Sequence, residues 1–543
     1  LCLKFAQQGP GIYQLNVPTG SGKTLASLRY ALHTAAKNKF RRIFYVAPYK
    51  SILDQNANAV RKNLDEPELI LEHHGDAIPD ASEEEYNKYV LLTERWDSPI
   101  VLTTMVQFLN TLFLGKNNSV RRFHSLAQSV IILDEVQSIP PKFVSLFNCA
   151  LNYLSAICGC AVILCTATQP ALEQVPHPVY LGTPSEMVPI LPSFRAFERT
   201  EIKDLTIRPP MDRFETAALI CKQQKQGNSV LAIFNTKTAA RKVYEAVSKM
   251  KDENVSVYFL STALCPAHRS ERIEEIKRQL KEGIPVVCIS TQLIEAGVDI
   301  SFGCVIRSLA GLDSIAQSAG RCNRNGEATK GEVLMIKSAE EDLSRLPAIR
   351  EEQRAAESTL EAVRRNPELY PGGILSREAI DFYYGKYYRS SKLLDGPVSA
   401  KQESRLPRDT TLIDLLGTNR VARSSLQEKQ KDAPPRLLNQ AFQTAGANVT
   451  VIENTGIDVL VPYGRGKELI AELGGSSFEK VGRLIRQCQR YLVHLYSYEQ
   501  HILEDKKVLN ALGETGVCAL NPRFYSEQTG FVTDGELMEN LLC

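Results

Sequence analysis

The chain has 543 residues, of which 43% are hydrophobic and 23% charged, with a formal net charge of +2. That length predicts several domains, and the apolar content lets each bury its own core. The near-neutral balance excludes a histone-like polycation but permits a basic groove on a neutral body. The 13 cysteines form no C-x-x-C pair, and "CGCAVILC" (158–165) reads as small apolar residues of a reduced interior. No signal peptide and no apolar run of about 18 residues is present, so a cytoplasmic protein with no membrane partner is expected.

In chain order, "LCLKFAQQ" reads as the inside of a helix, as if the chain began within a longer protein. Apolar β-branched runs then alternate with helical stretches. One set is "GIYQLNV" (11–17), "RRIFYVAP" (41–48), "PIVLTT" (99–104), "SVIILDE" (129–135) and "AVILCTAT" (161–168). A second set is "NSVLAIFNT" (228–236), "SVYFLST" (256–262), "IPVVCIST" (284–291), "CVIRSL" (304–309) and "GEVLMIK" (331–337). Such alternation predicts parallel sheets with helices on both faces. The expected fold is therefore α/β, with two tandem domains at 1–197 and 198–340. Residues 341–440 read as a helical and flexible linker, and 441–543 as a small accessory domain.

"VPTGSGKT" (17–24) stands between a strand and a helix. A Gly-rich loop there aims backbone N–H groups at phosphate oxygens. Thr19, Gly20, Ser21 and Gly22 would cradle the phosphates of ATP, Lys23 would reach the β- and γ-phosphates, and Thr24 would place its hydroxyl on Mg²⁺. Val17 stands where the strict pattern has Gly, at a position that only starts the turn. Asp134 and Glu135 end a buried strand, where ligands of parallel sheets collect. Asp134 is expected to hold Mg²⁺ and Glu135 to orient and deprotonate the attacking water. "TATQP" (166–170) offers hydroxyls that could sense the γ-phosphate. In "QSAGRCNRNG" (317–326), Gln317, Arg321 and Arg324 recur at spacings that would put them on one helix face, the arginines serving as cis arginine fingers.

Together with "STQLIEAGVDIS" (290–301), these motifs resemble the superfamily 2 helicases. "APYKSILDQ" (47–55), "LEHHGD" (71–76), "TTMVQFLNTLF" (103–113) and "LSTALCPAHR" (260–269) narrow the resemblance to the CRISPR-associated helicase–nuclease of type I interference systems. It implies two RecA-like motor domains and ATP-driven 3′-to-5′ movement on single-stranded DNA. The implied partner is a Cascade-type surveillance complex carrying an R-loop. Strand contacts carried over are Pro48, Lys50, Ser51, Thr103 and Thr104 from the first domain. From the second they are Asn235, Thr236, Lys237, His268, Arg269 and Thr291. Glu295 and Asp299 would link the strand to the nucleotide, Asp299 on the nucleotide side. Ser318 and Asn323 replace an Arg and a Gly common in the last motif, and Gln137 replaces the His of DEAH-type enzymes.

The family's HD nuclease has no counterpart here, for no His-Asp dipeptide occurs, so a motor without its nuclease is expected. His73 and His74 fall inside the first motor domain and read as decoys for a metal site. The glutamine that contacts adenine in the family is expected near or before the start of this sequence, and Gln7 and Gln8 are near candidates that stand too close to the P-loop. "YGRGKEL" (463–469) reads as a turn, and Arg483, Arg486 and Arg490 as a solvated helical face or a DNA-channel wall. Two rival functions remain: a helicase of the same superfamily acting on RNA or duplex DNA, and an ATP-gated clamp that binds without moving.

Overall fold

The computed structural model describes residues 1–18, 20–64, 66–74, 83–189, 199–295, 297–391, 393–398, 406, 409–429, 439–451, 456–475, 484–513 and 515–533. The chain divides into two compact units, Leu1–Phe197 with Glu351–Ile452, and Glu198–Arg350 with Glu453–Cys543.

In the first unit, apolar and β-branched runs form β1 (Ile12–Asn16), β2 (Arg42–Ala47), β3 (Ile70–His73), β4 (Ile100–Thr104), β5 (Ser129–Asp134) and β6 (Ala161–Thr166). Their order is β1-β6-β5-β2-β4-β3, with every pairing parallel. Leu15, Leu102, Ile132 and Ile163 lie fully buried in its core, as a parallel sheet covered on both faces requires. Truncating any of them to Ala would cost about 2–5 kcal/mol. Asn16 pairs with Thr166 and Asp134 with Cys165. The carboxyl ends of three adjacent strands therefore finish level, and the loops they feed open into one crevice. Residues 351–452 belong to this unit: Ser145 Oγ donates to Asp395 Oδ1 at 2.7 Å, and Arg377 pairs with Glu186 at 2.6 Å.

The second unit repeats the plan with β7 (Thr200–Asp204), β8 (Val230–Phe234), β9 (Ser256–Leu260), β10 (Val286–Thr291), β11 (Cys304–Ser308) and β12 (Gly331–Ile336). Their order is β7-β12-β11-β8-β10-β9, again parallel throughout. A smaller mixed sheet follows from β13 (Gly456–Leu460), β14 (Leu492–Tyr496), β15 (Leu509–Ala511) and β16 (Cys518–Leu520), in the order β14-β13-β16-β15. It shares a core with the motor sheet's surroundings, for Val459, Val493 and Leu503 pack with Ala263, Cys265 and Ala267. Among the described residues, no helix is long and apolar enough to cross a membrane.

Candidate active site

The loop after β1 needs a backbone that ordinary residues resist. Gly20 and Gly22 have φ of 79° and 85°, in the left-handed region where an added Cβ is strained. An added Cβ at either position would meet nothing within 4 Å, so backbone conformation, not crowding, demands glycine here. Ser21 Oγ braces the turn by donating to Pro18 O at 2.7 Å. Helix Lys23–Asn38 opens on Gly22 with no side-chain cap hydrogen bond, leaving its first N–H groups to a ligand. Val17 is buried in the sheet core, which explains an apolar residue at that point. Thr19 lies outside the described residues.

Lys23 and Glu135, read as phosphate ligand and base, meet as an ion pair at 3.1 Å. Burial works against the Lys23 charge, but Glu135 and Asp134 outweigh it and the ammonium pKa is raised. Glu135 follows β5 with φ 48° and ψ 51°, a left-handed turn that is costly for a non-glycine residue. Its second oxygen accepts from Gln137 Nε2 at 2.6 Å, so the residue that replaces the DEAH histidine orients the carboxylate directly. Asp134 is buried. Burial and the Glu135 charge push its carboxyl pKa up, against the pull of Lys23.

Two residues that sequence reasoning missed hold Asp134 in place. Tyr45 OH donates to Asp134 Oδ2 at 2.8 Å, and Asn56 Nδ2 approaches the same oxygen at 3.4 Å. Asn56 Oδ1 in turn accepts from Thr24 Oγ1 at 3.1 Å. Thr24 and Asp134 thus bracket one amide, and their oxygen donors are the set a hard divalent cation takes. The available signal was Tyr45 itself, since a tyrosine in a fully buried strand needs a hydroxyl partner. After β6, Thr166 Oγ1 accepts from Thr168 N at 3.0 Å and Gln169 Nε2 donates to Leu164 O at 3.0 Å. "TATQP" is therefore a braced turn beside Asp134. Gln7 and Gln8 are exposed.

In the second unit the last motif corrects one expectation. The helix runs only from Leu312 to Ala319, so Gln317 lies on it while Arg321 and Arg324 stand beyond its end. The chain leaves the helix because Arg321 O accepts from Phe302 N at 2.9 Å and Asn323 N donates to Phe302 O at 2.8 Å. Asn323 has φ 46°, a conformation that asparagine tolerates better than most residues. The two arginines differ. Arg321 is buried and donates to Ile294 O at 3.0 Å and Glu295 O at 2.6 Å. Arg324 pairs with Asp299, itself 62% exposed in its side chain, at 2.8 Å.

Of the candidate strand contacts, Lys50 and Ser51 are exposed at the start of helix Lys50–Asn63, and Pro48 is half-buried just before it. Thr103 is buried and donates to His73 O at 3.0 Å. Thr104 and Thr236 cap helices Met105–Phe113 and Lys237–Met250, accepting from Gln107 N and Ala239 N, each cap stabilising by about 1 kcal/mol. Asn235 is buried and bonds Glu341 and Leu309 O. Thr291 and Arg269 are half-buried.

Two further candidates are packed against distant segments. His268 is 1% exposed, stacked at 3.9 Å on Tyr463, with Nδ1 3.0 Å from Tyr525 OH. Burial lowers its pKa to about 4, so the ring offers no positive charge to a phosphate. Lys237 pairs with Glu499 and lies over the rings of Tyr496 and Phe531 at 5.0 and 4.8 Å. In both cases residues of the last ninety positions cover the side chain, which no local motif reveals.

The histidine decoys resolve differently from each other. His73 Nδ1 accepts from the Trp96 indole at 3.0 Å, and burial lowers its pKa to about 3. His74, with Asp54 and Glu72, forms a three-residue group close enough to hold a metal ion. Arg61 also pairs with Glu72, and that cation disfavours a second one. His74 Nε2 lies 3.3 Å from Asp54 and 3.6 Å from Glu72. Burial lowers its pKa, but the two carboxylates overcome this and raise it to about 9. A raised pKa contributes stability that is complete below the unfolded value near 6.5 and lost as pH climbs through about 9. The advantage of the parent chain over His74→Gln in urea unfolding should therefore be larger at pH 6 than at pH 10. An advantage that grows with pH would reverse the assignment.

Comparison with known proteins agrees with this geometry. Residues 10–175 match the DEAD/DEAH box helicase model, and residues 226–327 match the C-terminal model of the CRISPR-associated nuclease/helicase Cas3. The chain is 26% identical over 447 residues to the CRISPR-associated nuclease/helicase Cas3 of Haloferax volcanii, covering 62% of this chain and 47% of that protein. It is 27% identical over 346 residues to the protein of the same name from Methanothermobacter thermautotrophicus, covering 59% and 39%. The chain thus spans less than half the length of these relatives. The solved structure of T. fusca Cas3-AMPPNP shares its fold with TM-score 0.64 at 17% identity, covering 91% of this chain and 63% of that one. The chain carries a DEAD/DEAH box helicase domain, and over 62% of its length it is similar to a CRISPR-associated nuclease/helicase.

Proposed function

We propose that the chain is an ATP-driven motor on single-stranded DNA, moving 3′ to 5′, with the strand supplied by the R-loop of a CRISPR surveillance complex. The observation that carries the ATPase half is the alignment of the Gly-rich loop, the Asp134–Glu135 pair and the "TATQP" turn at the level ends of β1, β5 and β6. ATP phosphates entering the loop compete with Glu135 for the Lys23 ammonium. Glu135, still held by Gln137, then accepts a proton from the attacking water. Thr24 and Asp134 would hold Mg²⁺, which supplies charge neutralisation at the phosphates. Pro48, Lys50, Ser51 and Thr291 offer the backbone-phosphate contacts that position a strand without reading sequence. R-loop formation is nearly balanced in energy, so a modest pull on the displaced strand suffices.

ATPase assays with single-stranded DNA, RNA and duplex DNA test the substrate, and displacement of a protein block from one DNA end tests the polarity. The expected result is strong stimulation by single-stranded DNA and block displacement at the 5′ end only. Stimulation by RNA alone, or displacement at neither end, would replace the motor reading with one of its two rivals.

A further inference from the structure

Arg307 sits in the middle of β11 and is fully buried, an unusual place for a side chain that cannot shed its charge. Its cost is met by an array of partners. The guanidinium lies 2.8 Å from Glu295 Oε1, and Nη2 donates to Ser314 Oγ at 2.7 Å and to Asn235 Oδ1 at 3.0 Å. Nη1 donates to Ser308 O at 2.7 Å. Glu295 also accepts from Ser314 at 2.7 Å and Ser318 at 2.9 Å. One side chain thus ties together three pieces of backbone. Asn235 and Thr236 follow β8, Glu295 shares the loop after β10 with Thr291, and Ser314 and Ser318 share a helix with Gln317 just before Arg321. The first two carry candidate strand contacts and the third leads directly into the turn that carries Arg321 and Arg324.

Packing alone does not require this arrangement, since a buried ion pair can often be replaced by apolar residues without loss of stability. The planar fork instead fixes three elements in one mutual geometry. We propose that Arg307 is a positioning residue that makes the strand-contacting loops and the arginine-bearing turn move as one body, so that strand binding accelerates ATP turnover. The inference rests on the motor reading above.

The test compares the parent chain with the double variant Arg307→Met/Glu295→Leu and the single variant Ser314→Ala, measuring unfolding and ATPase with and without single-stranded DNA. The double variant is expected to unfold cooperatively near the parent's midpoint, and its stimulation is read as the ratio of DNA-stimulated to basal ATPase. That ratio should fall about tenfold, while the DNA concentration for half-stimulation changes much less. Ser314→Ala should lose stimulation about threefold. It decides the matter alone if the double variant fails to fold. Full stimulation in a folded double variant, or in Ser314→Ala when the double variant does not fold, overturns the proposal and leaves Arg307 a packing residue. A parent chain whose ATPase ignores nucleic acid overturns the motor reading, and the inference falls with it.

Discussion

Glu135→Gln is expected to lower ATP turnover by about 10²–10⁴-fold, the range for loss of a positioned general base, while ATP binding survives. The amide keeps the size of the side chain, but it cannot accept the proton of the attacking water. It also gives up the ion pair with Lys23, which leaves that ammonium freer to meet phosphate. ATP affinity should therefore hold or improve as turnover collapses. The ion pair is largely but not wholly buried, with 12% and 18% of the two side chains exposed, so a drop in stability must be separated from a drop in chemistry. Thermal unfolding alongside fluorescent-nucleotide binding and phosphate release does so. Asp134→Ala should behave otherwise, weakening Mg²⁺-dependent nucleotide binding itself, because Tyr45 and Asn56 converge on that carboxylate. Wild-type turnover in Glu135→Gln would remove Glu135 from the reaction.

The second large effect separates the two arginines. Arg324→Ala should cut turnover by about 10³-fold or more, the scale for an arginine that stabilises transferring phosphoryl charge, with little change in stability. Its partner Asp299 is mostly exposed, and such surface pairs contribute about 0–1 kcal/mol, so the guanidinium can leave it cheaply. Arg321 has no such freedom. Its bonds to the carbonyls of Ile294 and Glu295 hold a loop in shape, and Arg321→Ala should lower both the unfolding midpoint and turnover. Paired measurements of kcat and unfolding temperature on the two variants check this. Normal ATPase with lost DNA binding in Arg324→Ala would make that turn a strand contact instead.

The features of the candidate site that the sequence displays are local ones. Glycines at 20 and 22 are demanded by a left-handed backbone within a few residues of themselves. The Asp134–Glu135 pair stands out because charges end an apolar run that only a covered parallel strand explains. The alternation of strand and helix carried five strands of each parallel sheet for the same reason, its period being written within each segment, and missed the edge strands β3 and β7. What escaped was set by residues distant in sequence. Arg321 and Arg324 keep helical spacing, yet pairing with Phe302 ends the helix first. His268 and Lys237 look like strand contacts until Tyr463, Tyr525, Glu499 and Phe531 cover them. Tyr45, Asn56 and Arg307 carry no motif, and become visible only when folding brings Asp134 or Glu295 beside them. Backbone demand and periodicity are properties of a short window, which a sequence displays. Burial and the pairing of charges depend on which distant segment closes over which, and the tertiary structure alone decided those.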